Sequence, residues 1–241
     1  MGLDGKRIVI IGGTSGIGLA VAEAAIADGA EVVVGSSQAA NVETATRKLG
    51  NHASGDTIDV KAEDSVAAYF AKVGPFDHLV FTAGDWGGRG GRFLTETDLS
   101  RAAELYAVRH WGALAAIKHG QPYIREGGSI TLTNGMIAHR PRKGTALSTA
   151  MAGGIEHLTR GLAVDLAPIR VNAVCPGAIR TDVWNSIPAE NREAQFKQMT
   201  QRLPIPRIGE PNEVAEAYLY LMRAGYTTGQ VLLVDGGGSV V

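Results

Sequence analysis

Cysteine is nearly absent from this chain. Cys175 is the single one in 241 residues, so no intrachain disulfide can form, and a reducing cytoplasm is the expected setting. A charge excess is also missing: the formal net charge is -1, which gives no electrostatic case for a nucleic-acid or membrane partner. No apolar run reaches the ~18 residues that a membrane span needs. The first residues run straight into a strand pattern with no signal-peptide signature. No repeat or low-complexity segment interrupts the chain. Hydrophobic content of 45% and charged content of 20% are ordinary for a globular protein, and the length suits one large α/β domain.

Glycine, by contrast, is plentiful, and its densest early cluster organises the chain. Within Lys6–Ser37, the apolar run Arg7–Ile11 reads as a strand buried on both faces. Gly12, Gly13, Gly16 and Gly18 follow, then a helical pattern through Ile17, Ala20, Val21, Ala24 and Ala25. Gly29 stands where that helix would stop, and Glu31–Val34 reads as a second buried strand. A strand, glycine turn, helix and strand within about 30 residues is the context that a dinucleotide site requires. Glycine lets backbone approach a pyrophosphate, and the helix start offers free N–H groups and a positive dipole end. The expected contacts run through Gly12, Thr14, Ser15, Gly16 and Ile17.

The end of the second strand chooses the cofactor. An acidic residue there would bind ribose hydroxyls and repel a 2′-phosphate. The chain has Ser36 and Ser37 instead, two hydroxyls able to donate to a phosphate. The expectation is NADP(H) over NAD(H). The same serines also suit the turn before a helix capped near Asn41, and both roles are compatible.

The spacing Gly12-x-x-x-Gly16-x-Gly18 resembles the short-chain dehydrogenase/reductase family, with Ile11 where that family has Thr. The resemblance runs from Lys6 to Gly237. It implies one doubly wound α/β (Rossmann-like) domain of about seven parallel strands over residues 1–241, with a variable substrate lid at 182–207. Asp59 at the end of a short third strand, Thr57–Val60, matches the family's adenine contact, with Val60 beside it; a turn role for Asp59 is equally open. His78–Gly84 is similar to the family's Asn-Asn-Ala-Gly strand, keeping Ala83 and Gly84 while Phe81 and Thr82 replace the asparagines. Pro176-Gly177-Ala178-Ile179-Arg180-Thr181 closely matches the family's Pro-Gly-x-Ile-x-Thr element, in which Ile179 backbone and Thr181 would hold the nicotinamide carboxamide. A helix over Leu99–Ile124 and a small-residue helix over Ala146–Leu166 would form a homodimer interface, often within a homotetramer. Ser129–Thr133 reads as the fifth strand and Arg170–Cys175 as the sixth.

The catalytic positions depart from the family. Where the resemblance expects Asn, Ser, Tyr and Lys, this chain has Arg109, Gly135, Ser148 and Ala152. No tyrosine lies between Tyr123 and Tyr218. The pattern is similar to an atypical branch that lacks Tyr-x-x-x-Lys, carries Arg before His-Trp-Gly and keeps NADP(H). Candidates to stabilise the alkoxide or supply a proton are Arg109, Asn134, Ser148 and His139. Arg109 is a poor proton donor because its pKa exceeds ~12. His139 has the right intrinsic pKa, near ~6.5. Each has a bland reading: an ion pair for Arg109, helix packing for Ser148, a solvated loop for His139. The run His139, Arg140, Arg142, Lys143 is either a solvated basic patch or a site for an anionic group. The glycine-rich loop at 85–93 would lie near a ligand, with Trp86 as pocket wall or loop anchor. Trp184 and Phe196 would line a pocket under the lid.

The sequence thus points to reduction of a ketone or similar carbonyl, a small-molecule substrate, by hydride transfer from NADPH. No strong base is present to take an alcohol proton, which disfavours oxidation. A dinucleotide-binding sensor or assembly protein without turnover is the alternative. No metal site is expected.

Overall fold

The computed structural model describes residues 2–84 and 93–241; the glycine-rich loop with Trp86 lies outside the described residues. The first strand, β1 (Arg7–Ile11), is buried from Ile8 to Ile11. Its alternation divides it between two cores. Ile8 and Ile10 pack with one face's helices, while Val9 and Ile11 pack with the other's. A strand covered on both faces belongs at the centre of a parallel sheet, and β1 is there.

The elements alternate along the chain: α1 (Gly16–Ala27), β2 (Glu31–Ser36), α2 (Ala39–Leu49), β3 (Ala53–Thr57), α3 (Glu63–Val73) and β4 (Phe76–Phe81). Then come α4 (Leu99–Tyr106), α5 (Ala113–Gly120), β5 (Ile124–Thr133), α6 (Ala146–Asp165) and β6 (Arg170–Pro176). The chain closes with α7 (Ala189–Thr200), α8 (Pro211–Arg223) and β7 (Val231–Val234). The sheet has seven strands in the order β3-β2-β1-β4-β5-β6-β7, and every pairing is parallel. The order reverses between β1 and β4, where a doubly wound sheet opens its ligand crevice. Among the described residues no helix is long and apolar enough to cross a membrane.

Several boundaries differ from the sequence expectation. The third strand is Ala53–Thr57, not Thr57–Val60. Ile58 and Val60 are apolar and buried, but they fill the second core from the turn after the strand. Pairing with β2, from Val32↔Ala53 to Ser36↔Thr57, decides the strand instead. The fourth strand ends at Phe81, because Thr82 and Ala83 both turn their amides onto the Ile11 carbonyl. The fifth begins earlier, at Ile124. Helix α2 starts at Ala39, so Asn41 lies within its first turn rather than capping it. The long helix expected at Leu99–Ile124 is two α-helices joined by a π-helical turn, Ala107–Gly112. Gly29 stops α1 in a left-handed conformation, φ 86°, as expected. Pro211 opens α8, reinforced by a capping box between Glu210 and Glu213.

The end of the sheet away from the crevice is tied electrostatically. Burial pushes the Asp77 carboxyl up, but hydrogen bonds from Arg7 N (2.9 Å), Lys6 Nζ (3.0 Å) and Arg125 Nη1 (2.9 Å) outweigh it and hold its pKa below the usual range. Beside it, His78 is buried with Nδ1 2.9 Å from Ser129 Oγ. Burial takes its pKa down to about 4. The unfolded chain binds that proton below about 6.5, so it holds more protons than the native state between those values. Stability therefore falls as pH drops through this window. Urea unfolding should show His78→Asn losing less stability than the wild type between pH 6.5 and 4, by about 2–3 kcal/mol.

Candidate active site

The crevice begins where β1 ends. Gly12 has φ 90° and Gly16 has φ 51°, a turn that L side chains rarely adopt. A Cβ on Gly18 would lie 2.2 Å from the Gly12 carbonyl oxygen, and one on Gly12 would lie 2.5 Å from Ala83 N. Bare backbone against bare backbone is the condition for this turn. Ser15 precedes α1 in an extended conformation and makes no side-chain cap bond. The first-turn amides of Gly16, Ile17 and Gly18 thus have neither an intrahelical acceptor nor a cap. Thr14 is half-buried beside them and Ser15 is exposed. These are the features that a pyrophosphate uses, so the residues present fit a dinucleotide.

Two further elements close on this turn. The position of Gly16's absent Cβ is 3.2 Å from Thr181 Cγ2, which brings the carboxamide motif face to face with the glycine turn. Thr82 replaces a family asparagine, yet its hydroxyl reaches the carbonyls of Ile11 (3.2 Å) and Gly12 (3.1 Å). It restores a link between β4 and the turn. Pro176 ends β6, and Gly177 donates its amide to Val234 O (2.9 Å). Ile179 is buried, and its carbonyl accepts the Trp184 indole N–H (2.7 Å). Ser36 and Ser37 stand at the end of β2, half-buried and exposed, with no carboxylate of their own. Asp59 is exposed, and its Oδ1 accepts the Lys61 amide (3.0 Å); the turn role is therefore real, and its other oxygen stays open to solvent. Val60 packs so close to Gly112 that a Cβ there would be 2.8 Å from Val60 Cγ2. Ala83 and Gly84 follow β4, with Gly84 at φ 128°.

The four candidates for the chemistry separate into two groups. Arg109 projects from the π-helical turn and is only 4% exposed. Its guanidinium donates to Gly84 O (3.0 Å) and Thr133 O (3.3 Å), so it spans the ends of β4 and β5. Thr133's hydroxyl donates to Phe81 O (2.7 Å) and hence accepts from the Tyr218 phenol (2.7 Å). Burial raises the Tyr218 pKa, keeping the phenol a donor. Asn134 is fully buried, and its Nδ2 donates to Glu156 Oε1 at 2.7 Å. That bond commits its amide N–H to Glu156. His139 is exposed, and its Nε2 lies 2.7 Å from the same Glu156 oxygen, so its ring is tied to the cluster while still reaching solvent. Ser148 is half-buried in the first turn of α6, and no described residue accepts from its hydroxyl.

Glu156 was missed from sequence. The signal was available: Ser148, Ala152 and Glu156 recur every four residues on one face of α6. At about 1.5 Å of rise per residue, Glu156 lies about 12 Å along the helix from Ser148. The His139–Glu156–Asn134 cluster therefore braces the segment after β5, while Ser148 serves the other end of that face. Cys175 joins the cluster: donor atoms of His139, Glu156 and Cys175 lie within 4.8 Å of one another. Burial pushes its thiol up to about 12, so it is present as a neutral thiol.

Arg180 ties the 182–207 segment to the elements around it. Arg180 Nη1 meets Glu193 of α7 (2.7 Å), its Nε meets Glu210 before α8 (3.1 Å), and its Cζ lies 4.9 Å from the centre of the Phe196 ring. Phe196 is 3% exposed and packs edge-on against Trp184 at 5.5 Å. It supports the pocket wall and does not line it. Trp184 does line a groove of about 730 Å³ between α7 and Arg142.

Residues 12–239 match the family model described as Enoyl-(Acyl carrier protein) reductase. The short-chain dehydrogenase/reductase ATR9 of Stachybotrys chlorohalonatus is 35% identical over 251 residues, 98% of this chain and 97% of that protein. A small-chain dehydrogenase solved in complex with NADPH superposes with TM-score 0.81 at 33% identity, over 99% of this chain and 100% of that one. A short chain oxidoreductase from Pseudomonas aeruginosa PAO1, described as containing an atypical catalytic center, superposes with TM-score 0.88 at 26% identity, over 98% of each chain.

The Gly18–Gly12 contact makes a sharp test of the turn. Gly18→Ala should lower unfolding stability by about 1–3 kcal/mol through overpacking and weaken NADPH binding at least about tenfold, read by quenching of protein fluorescence. Arg109→Leu removes two buried hydrogen bonds to carbonyls and should cost about 2–4 kcal/mol by urea unfolding.

Proposed function

Since the chain belongs to the short-chain dehydrogenase/reductase family, we propose that it is an NADP(H)-dependent reductase of a ketone or similar carbonyl, working without the family's usual proton donor. The observation that carries this reading is the glycine turn at Gly12–Gly18, closed by bare backbone contact between Gly12 and Gly18 and facing Thr181 at Gly16. When bound, NADPH supplies a hydride from its nicotinamide ring.

This chain's own residues then bind, orient and relay. The amides of Gly16, Ile17 and Gly18 receive the pyrophosphate, with Thr14 and Ser15 beside them. Ser36 and Ser37 take the 2′-phosphate by hydroxyl donation. Asp59 and Val60 border the adenine, Ala83 and Gly84 the ribose, and Pro176, Gly177, Ile179 and Thr181 the carboxamide. Ser148 is the residue assigned to the substrate oxygen, as a hydroxyl that passes a proton from water. A serine is a weak acid, so the proton step is slower than with a tyrosine by something within the ~10²–10⁴-fold that general acid catalysis contributes. Arg109, Asn134 and His139 are positioning residues. Arg109 holds the strand ends from beneath, and the bonds to Glu156 set the segment leading to α6.

Replacement of the four expected catalytic groups by Arg109, Gly135, Ser148 and Ala152 favours a second reading, an NADP(H)-binding sensor without turnover. Oxidation of NADPH, followed at 340 nm against a panel of bulky and cyclic ketones, separates the two. Turnover should appear with at least one ketone, and Ser148→Ala should lower kcat about tenfold or more with NADPH affinity kept. Tight NADPH binding with no ketone reduced would leave the sensor. Ser36→Asp should weaken NADPH about 10–100-fold and spare NADH.

A further inference from the structure

Resting on that reductase reading, we infer that the groove between the β5–α6 segment and the lid receives a ketone that carries a carboxylate, and that Arg142 binds it.

The four basic side chains that follow β5 have different fates. His139 is committed to Glu156 at 2.7 Å. Arg140 donates to the carbonyls of Gly238 (3.2 Å) and Ser239 (2.8 Å) and so pins the C-terminal turn. Lys143 does not line the groove. Arg142 does, and its guanidinium makes no ion pair with any described residue. Its backbone is fixed: Thr145 Oγ1 donates to the Arg142 carbonyl (2.7 Å) and the Arg142 amide lies 3.0 Å from the same hydroxyl. A cation is thus set on a braced stem at the rim of the cleft.

The facing wall comes from the lid. Asn191, Gln195 and Gln198 of α7 offer amide donors, while Trp184 and Met199 offer apolar surface. Among the described residues no carboxylate lines the groove, and none there neutralises Arg142. Trp184 ties the groove wall to the Pro176–Thr181 segment, since its indole N–H is held by the Ile179 carbonyl at 2.7 Å. On the proposed reading, a substrate lying against Trp184 has its carboxylate at Arg142 and its ketone toward that segment. The volume of about 730 Å³ falls in the ordinary range for small-molecule sites, about 300–1,000 Å³. One guanidinium with neutral amides around it matches the single charge and planar fork of a carboxylate. A phosphate monoester carries close to two charges and would call for a second cation, and among the described residues Arg142 is the one cation that lines the groove.

The test uses the full-length protein with NADPH and three matched ketones: a cyclic keto acid, its methyl ester, and a phosphate monoester of the corresponding hydroxyketone. Steady-state kinetics are combined with calorimetric titration of the acid into the NADPH complex. The wild type should prefer acid to ester in kcat/KM by about 10–100-fold, and added salt should erode that preference. Arg142→Gln should remove it, and Arg142→Lys should restore part of it. Equal use of acid and ester, or an equal loss for both in Arg142→Gln, overturns the inference. Preference for the phosphate ester overturns the carboxylate assignment. Ester reduced while the acid neither binds nor reacts defeats the inference and spares the reductase reading. Acid bound in an Arg142-dependent way with no ketone reduced does the opposite: the anion site stands and the reductase reading fails.

Discussion

The architecture hangs on a contact between two stretches of backbone. Gly18 on α1 and Gly12 at the end of β1 approach so closely that a single methyl group would sit 2.2 Å from a carbonyl oxygen. That approach sets the angle at which α1 leaves the sheet, and α1 in turn packs its alanines and Val21 against α8 in one core. It also exposes the first amides of the helix toward Thr181, on a loop that arrives from the far side of the crevice. Backbone density of this kind has a structural and a chemical consequence at once. It packs well only without side chains, and the absence of side chains is what leaves N–H groups open to a phosphate.

Beneath the crevice, polar groups are buried in number, and each described bond has a purpose in shaping the strand ends. A guanidinium buried as deeply as that of Arg109 is costly unless it is hydrogen-bonded. Two backbone carbonyls at the ends of neighbouring strands offset that cost, and they gain a donor that no longer strand contact supplies. Tyr218 reaches the same place from α8 through Thr133. On the other side, Asn134 and His139 converge on one oxygen of Glu156. The family's usual tyrosine and lysine would stand on the α6 face at Ser148 and Ala152. Along this face Ser148 and Ala152 are small, and Glu156 two turns on is acidic and committed to the scaffold bonds.

Specificity lies in the segments outside the sheet. The lid is joined to α8 and to the loop after β6 by Arg180, which meets Glu193, Glu210 and the Phe196 ring. The two ion pairs are at the protein surface, where each contributes little, while the ring contact is with the buried Phe196. Trp184 is anchored by a hydrogen bond and an aromatic edge. It gives the groove at Arg142 one anchored wall.

The strands at the centre of the sheet were legible in the sequence because both of their faces are buried. Arg7–Ile11 reads as a strand from its composition alone, and the structure places it with the same bounds. The glycine turn was legible too, since only glycine fits its torsions. Edge and connecting segments were not. Ile58 and Val60 look like strand residues, but they are buried from a turn, and hydrogen bonding to β2 assigns the strand to polar residues before them. A π-helical turn leaves no mark in a hydrophobic pattern, so the break that aims Arg109 at Gly84 and Thr133 stayed hidden. Local sequence determined the central strands, most helices and the glycine turn after β1, because torsional freedom and burial period are properties of neighbours in the chain. Only the tertiary structure decided what Arg109, Asn134, His139 and Arg142 face. Their partners lie tens of residues away, and a long polar side chain is directed by whatever acceptor the fold brings within about 3 Å.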